Sequence, residues 1–399
     1  MKSYTVYTSQ IDDLEQAALE LMKELKAKGE LLKNSVGLLF CYSDMEVAEM
    51  AEELQKCVDF DVIGCTCIAS MERQDGFCEM VTMLTVLTSD TCEFATAVSG
   101  ELTIDNVEKE TKAAYKVLED KTKEAPKLMY AIPPYMLGIM LDSYTKALNE
   151  CAPGIPVIGG LPSYNGKWDN NLVLALGKAY TNRLILLGIC GDVRPVFNVQ
   201  NVISDDVNRK RRVTKVKNNT IYEVNGQPFT SYLKEAGLDL ENLTGRNTTI
   251  TFVSNPLLLE NPSESKETYS FVRTLHAINL EEQSGTAIGR IPEGAILSVC
   301  TLQSDKIEEA ATRGMEELKM LMEKESQKGY EYSTVLAVSC IGRHLLLLPD
   351  NHLEATRLKE ALPEGINLTG FYSYGEIGPQ GDANQANFAH NESLILCAF

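Results

Sequence analysis

Apolar positions along the first third of the chain alternate between two periods. Ile11, Leu14, Ala18, Leu21 and Leu25 recur every three or four residues, which predicts an amphipathic helix over 11–28, ended near Gly29. The apolar run 36–40 predicts a strand, the helical pattern returns over 45–57, and Val62-Ile63-Gly64 predicts another strand. Two more strands are expected over 80–87 and 92–98. The same order then recurs. A strand at 127–132 is followed by a helix entered at Pro134, since a first turn does not need the missing N–H, and running to Cys151. The strand Pro156-Val157-Ile158-Gly159-Gly160 follows, with closing strands over 172–176 and 183–189. Near the C-terminus come a strand at 335–339, a helix at 353–362, Leu368-Thr369-Gly370, and a last strand at 394–397.

Strand, helix, apolar-x-Gly and closing strand thus occur three times, with Gly64, Gly159 and Gly370 at matched points. Only a residue without Cβ lets a backbone come very close there. Between the second and third units the pattern changes to short strands, expected at 198–202, 213–216, 220–224, 249–253, 271–278 and 295–301. A long helix over 304–324 follows, with Ile307, Ala311, Leu318 and Leu321 on one face. The expected fold is α/β, mixed α+β in part: repeated strand–helix–strand units in two closely packed domains, with additional antiparallel strands. A length of 399 residues fits two domains rather than one core. The boundary is expected near 203–212, in a stretch too poor in Gly and Ser to act as a free linker.

The formal charge of −19 repels phosphate backbones and anionic membrane surfaces, so neither nucleic acid nor membrane is an expected partner. The start Met1-Lys2-Ser3-Tyr4 lacks the apolar core of an export signal, and no aliphatic stretch is long enough to span a bilayer. With 11 cysteines, an odd number, the expected setting is a reducing cytoplasm with buried, unpaired thiols. Cys65-Thr66-Cys67 has neither C-x-x-C spacing nor a nearby histidine, so no metal is expected. His276, His344, His352 and His390 form no H-x-x-x-H pair. No cofactor is expected, although an axial haem histidine needs no motif and haem stays open as an alternative. The basic run Arg209-Lys210-Arg211-Arg212, with Lys215 and Lys217, is read as a solvated strand face beside acidic neighbours, with a docking patch as the alternative. No phosphate-binding glycine loop and no G-x-S-x-G elbow occurs.

The last sixty residues carry the candidate chemistry. Arg343 follows the strand that ends in Cys340, and Gly370-Phe371-Tyr372-Ser373-Tyr374-Gly375-Glu376-Ile377-Gly378-Pro379 combines glycines, aromatics and one carboxylate. Strand ends in βα units form the usual ligand crevice of an α/β sheet. Arg343 suits a carboxylate and Glu376 an ammonium, with Tyr374, Gly375, Asn391, Cys340 and Phe371 beside them on the rim of one pocket. The alternative is an Arg343–Glu376 ion pair that only holds two loops together. No catalytic residue is assigned and the chain is expected not to be an enzyme. The competing enzymatic reading makes Cys340 a nucleophile with His344 as its base. A third reading is a non-catalytic assembly protein.

These residues resemble the FIST family over most of the chain. The likeness rests on Glu223-Val224-Asn225-Gly226-Gln227-Pro228, Val272-Arg273, Ile291-Pro292-Glu293-Gly294, Cys340 with Arg343, Glu354, the 370–379 stretch, and His390-Asn391. Val62-Ile63-Gly64-Cys65-Thr66 and 156–160 match the N-terminal FIST pattern, but Cys67-Ile68-Ala69-Ser70-Met71 departs from it, lacking the small-Gly-Glu continuation. The resemblance implies a helical segment at 1–33, an N-terminal FIST domain at 34–205 and a C-terminal one at 206–399. It also implies an intracellular sensory module that binds a small ligand such as an amino acid. A subset of the family resembles haem-dependent nitric oxide sensors. No output domain is expected within the chain, so any signal is expected to pass through a separate signalling protein.

Overall fold

The computed structural model describes residues 1–164, 171–202, 208–261, 269–380 and 386–399. The first unit runs β1 (Lys2–Thr8), α1 (Leu14–Lys28), β2 (Asn34–Tyr42), α2 (Val47–Lys56), β3 (Val62–Cys67), the hairpin β4 (Ala69–Glu72) and β5 (Gly76–Glu79), then β6 (Thr82–Ser89). The second repeats this order as β7 (Glu93–Val98), α3 (Val107–Lys121), β8 (Leu128–Ile132), α4 (Leu141–Cys151), β9 (Val157–Gly160), the hairpin β10 (Val173–Ala175) and β11 (Lys178–Tyr180), then β12 (Ile185–Cys190).

The third unit opens with β13 (Val196–Asn201) and is interrupted by an inserted module. That module comprises β14 (Asn208–Lys217), β15 (Thr220–Val224), β16 (Gln227–Pro228), α5 (Phe229–Glu235), α6 (Gly245–Ser254), β17 (Leu257–Asn261), β18 (Tyr269–Arg273), β19 (Leu275–Asn279), β20 (Ser284–Ala287) and β21 (Ile296–Val299). The unit resumes as α7 (Ser304–Ser326), β22 (Thr334–Cys340), α8 (Ile341–Leu346), α9 (Leu353–Ala361) and β23 (Asn367–Ser373). It closes with the hairpin β24 (Glu376–Pro379) and β25 (Asn387–His390), then β26 (Ser393–Ala398).

Three six-stranded sheets result, in the orders β1-β6-β2-β3-β10-β11, β7-β12-β8-β9-β24-β25 and β13-β26-β22-β23-β4-β5. Each contains one parallel pair flanked by antiparallel strands. The hairpin at the end of each sheet comes from a different unit, so the first lends to the third, the second to the first and the third to the second. The three units share one architecture. Gly64, Gly159 and Gly370 sit opposite Leu39, Ala131 and Ala337 in the parallel pairs. A Cβ on each would lie 1.7, 1.8 and 2.1 Å from the facing carbonyl oxygen, which only glycine permits.

The three sheets meet in a central core that includes Leu38, Phe40, Tyr130, Ile158, Val338 and Phe371. Their outer faces are covered by α1 and α2, by α3 and α4, and by α7 and α9. Sheets buried on both sides explain why the strands read as near-continuous apolar runs. The inserted module has its own core around Phe229, Leu257, Leu275 and Leu297.

The α/β class, the repeated units and the additional antiparallel strands match the sequence reading. Several boundaries are corrected. Residues 1–33 are not a separate helical segment, because β1 pairs with β6 and α1 packs on the first sheet. The division at 205/206 falls inside the third unit, since β13 already pairs with β26; residues 203–207 themselves lie outside the described residues. The expected strand at 249–253 is part of helix α6, where Phe252 and Val253 are buried despite their β-branched neighbours. The helix expected from Pro134 begins only at Leu141. The single strand expected over 271–278 breaks at Thr274, which separates β18 from β19.

Candidate functional site

Strand β22 ends at Cys340 and α8 begins on the next residue, so Arg343 turns inward beneath α7 and α9. Its side chain is 0% exposed and meets Glu354 of α9, also 0% exposed, with Nη2 at 2.5 Å and Nε donating at 2.7 Å to the same Oε1. The second Glu354 oxygen accepts from the Ser339 hydroxyl at 2.6 Å. Nη2 also reaches the Ile307 carbonyl at 3.5 Å, while Nη1 is buried with no hydrogen-bond partner among the described residues. A Cβ on Gly342 would lie 2.4 Å from the Glu392 carboxylate, so glycine there admits that carboxylate against the start of α8.

The opposite wall is built by the third hairpin and the turn after it. Glu376 opens β24 opposite Gly160 and His390, and the Ser393 N–H donates to its Oε2 at 3.3 Å. Glu392 sits in the left-handed region, φ 54°, and accepts from the Thr274 hydroxyl at 2.8 Å. Glu376 Oε1 and Glu392 Oε2 are both buried without a partner among the described residues. Burial, reinforced by the charge of Glu392, pushes the Glu376 carboxyl well above the carboxylate range, and burial raises Glu392 to about 7. Arg343 acts on both in the opposite direction. Burial, then the two carboxylates, pushes the Cys340 thiol well up.

The structure therefore corrects the expected placement of Arg343 and Glu376. Both are 0% exposed rather than on a wet rim, and the carboxylate paired with Arg343 is Glu354, not Glu376. Cys340 is brought beside the cluster, and Asn391 next to it accepts from the Thr274 N–H at 3.3 Å. Tyr374 points elsewhere: its hydroxyl donates to the Tyr164 carbonyl and its ring lies 6.3 Å from Tyr135. The Gly375 carbonyl accepts from the Leu161 N–H at 2.9 Å, which ties the loop to β9. Phe371 stacks on Phe40, centroids 5.0 Å apart, in the central core. His344 does not serve Cys340; its ring packs on Phe77 and Tyr372, and burial lowers it to about 4. A buried thiol pushed upward beside carboxylates is the reverse of an activated nucleophile.

Sequence reasoning missed Glu392 and Thr274. The repeat itself was the available signal. By register Glu376 corresponds to Ser70 and Val173, and Glu392 to Met80, which is also left-handed, at φ 56°. Met80 is 52% exposed, whereas the inserted module covers Glu392. The departing stretch Cys67–Met71 enters β4, which pairs with Gly370 and Phe371. Within the basic run Lys210 pairs with Glu260, Arg211 with Glu235 and Lys215 with Glu223. Two surface clefts, of about 350 and 440 Å³, lie beside the end of α7 and beside β1 and α1, away from the cluster.

Family models match residues 35–227 as a FIST N domain and 230–379 as a FIST C domain. The chain belongs to the FIST family. FIST domains are regarded as small-ligand sensory domains of signal transduction. No curated protein matches the chain. Among solved structures it is similar to a cyanuric acid hydrolase from A. caulinodans, at 9% identity and a TM-score of 0.35, over 99% of this FIST chain and 98% of the other. That protein is a hydrolase, so the expectation of a non-enzyme does not stand against this finding; at such a distance the likeness assigns no activity here either. Among the described residues no helix is long and apolar enough to cross a membrane, and no group of three or more His, Cys, Asp or Glu side chains is arranged to hold a metal ion.

Proposed function

We propose that this FIST chain senses a small metabolite, an amino acid or a close relative, at the cluster of Arg343, Glu376 and Glu392. One observation carries the reading: Arg343 Nη1, Glu376 Oε1 and Glu392 Oε2 are buried, without a hydrogen-bond partner among the described residues, and within electrostatic reach of one another. Each such group costs about 1–3 kcal/mol when left unsatisfied, and a ligand that satisfies all three recovers that cost on binding. The cluster is closed to solvent, so binding requires an opening. The seam with the inserted module is held by polar contacts, which entering water can replace: Thr274 on Glu392 and Asn391, and Arg273 on the Ala389 carbonyl and Asp142. A separate signalling protein would read occupancy at that module. The buried, unpaired thiols support a reducing, cytoplasmic setting.

The experiment is calorimetric titration of the full chain with the proteinogenic amino acids, repeated on Glu376→Gln. Heat of binding that is lost in the variant, while its melting temperature stays close to that of the parent, supports the reading. A panel without a binder, or binding indifferent to Glu376, overturns it.

A further inference from the structure

We infer that the group selected by this cluster is a cationic nitrogen, a primary ammonium held between the carboxyls of Glu376 and Glu392, and that a free carboxylate on the ligand is dispensable. This rests on the sensory reading above and names the chemistry of its ligand.

The first ground is charge. The guanidinium of Arg343 is already matched by Glu354, whose two oxygens are both engaged, one by Arg343 and one by Ser339. Glu376 and Glu392 have no cationic partner among the described ion pairs, yet both are fully buried. The cluster is thus short of positive charge, and buried charges are tolerated when they are paired. Burial pushes both carboxyls toward the protonated form, with the charge of Glu392 adding to the effect on Glu376, and a bound cation would reverse that push.

The second ground is geometry. A carboxylate clamp uses two parallel N–H groups of the guanidinium fork. Here Nε and Nη2 are given to Glu354, which leaves only Nη1 for a ligand. Nη1 still brings two N–H donors but has no second nitrogen free to complete the fork, so it can serve a neutral carbonyl and does not require a carboxylate. A ligand carboxylate would also face two acidic side chains. An ammonium instead has three donors and finds Glu376 Oε1 and Glu392 Oε2 open to it.

The test uses three matched probe series on the full chain: free amino acids, their α-amides and their N-acetyl derivatives. For the tightest side chain, the amide is expected to bind within about tenfold of the free acid, and the N-acetyl form to lose about a hundredfold or more. Glu392→Gln, close in shape, should weaken the amide and the free acid alike by at least about tenfold. If the N-acetyl form binds and the amide does not, the ammonium inference fails while the sensory reading survives. If no member of any series binds, the sensory reading fails and takes this inference with it. If Glu392→Gln lowers the melting temperature but leaves amide affinity unchanged, Glu392 is structural and the inference fails.

Discussion

The Arg343 guanidinium and the Glu354 carboxylate meet at 2.5 Å with neither side chain reaching solvent. The pair ties α8 to α9 over the end of β22, and Ser339 on that strand completes it. Glu354→Ala leaves a buried, unmatched guanidinium, so it should cost about 3–5 kcal/mol of stability. The double change Arg343→Met with Glu354→Leu should recover most of that, because desolvating two charges nearly cancels their attraction. Denaturant midpoints of the three chains decide. A Glu354→Ala chain as stable as its parent would show the pair contributes little.

Thr274 links the inserted module to the cluster by one side chain. Thr274→Val keeps its shape but strips the hydroxyl from Glu392, at a cost of about 1–3 kcal/mol. Hydrogen exchange should quicken in β18, β19 and the 387–393 stretch, and stay unchanged in β2. Equal acceleration in β2 would mean that Thr274 supports the whole fold rather than the seam.

The pH response of Glu392 has a definite sign. Its native carboxyl is raised from 4.5 to about 7 by burial, so between those values the folded chain holds a proton that the unfolded chain has released. Stability therefore falls as pH rises through that window, by about 3 kcal/mol in all, and levels off above it. His344 and His390, lowered to about 4 by burial, act oppositely, losing stability on acidification below 6.5. The difference between Glu392→Gln and the parent isolates the first effect. The variant's advantage should grow from pH 4.5 to about 7, and a constant difference would show that Glu392 is ionised in the fold.

Thiol accessibility makes a separate prediction. Cys57 is exposed and Cys151 half-buried, while the other cysteines, Cys340 included, are buried. An aromatic disulfide reagent should label Cys57 fast, Cys151 slowly and the rest only on unfolding. Rapid labelling of Cys340 in the native chain would contradict the closed cluster.

Much of the fold was legible because one physical demand recurs. A carbonyl oxygen about to strike a Cβ leaves glycine as the only solution at Gly64, Gly159 and Gly370, and that mark survives in the sequence. Strand partners left no such mark. Nothing local marks Ala69–Glu72 as a strand, still less one that pairs with Thr369–Phe371 about three hundred residues away. The candidate site was half legible for the same reason. Arg343 and Glu376 stand out as polar residues after strand ends, whereas the meeting of Arg343 with Glu354 depends on how α9 lies across β22. Glu392 is conspicuous only once Met80 reveals the corner it occupies.

The exchanged hairpins bear on how the polypeptide is made. On a ribosome the N-terminal portion emerges first and would ordinarily fold first. Here β3 cannot gain its outer neighbour until β10 has been translated, and β9 waits for β24, near the end of the message. Nascent sheets therefore carry an open edge for most of elongation, which is the state that recruits chaperones or aggregates. When β24 and β25 finally dock and β26 follows, the second and third sheets are completed almost together. The fold closes as a clasp does, and a nascent chain stalled before its third hairpin would have only the first sheet finished to fall back on.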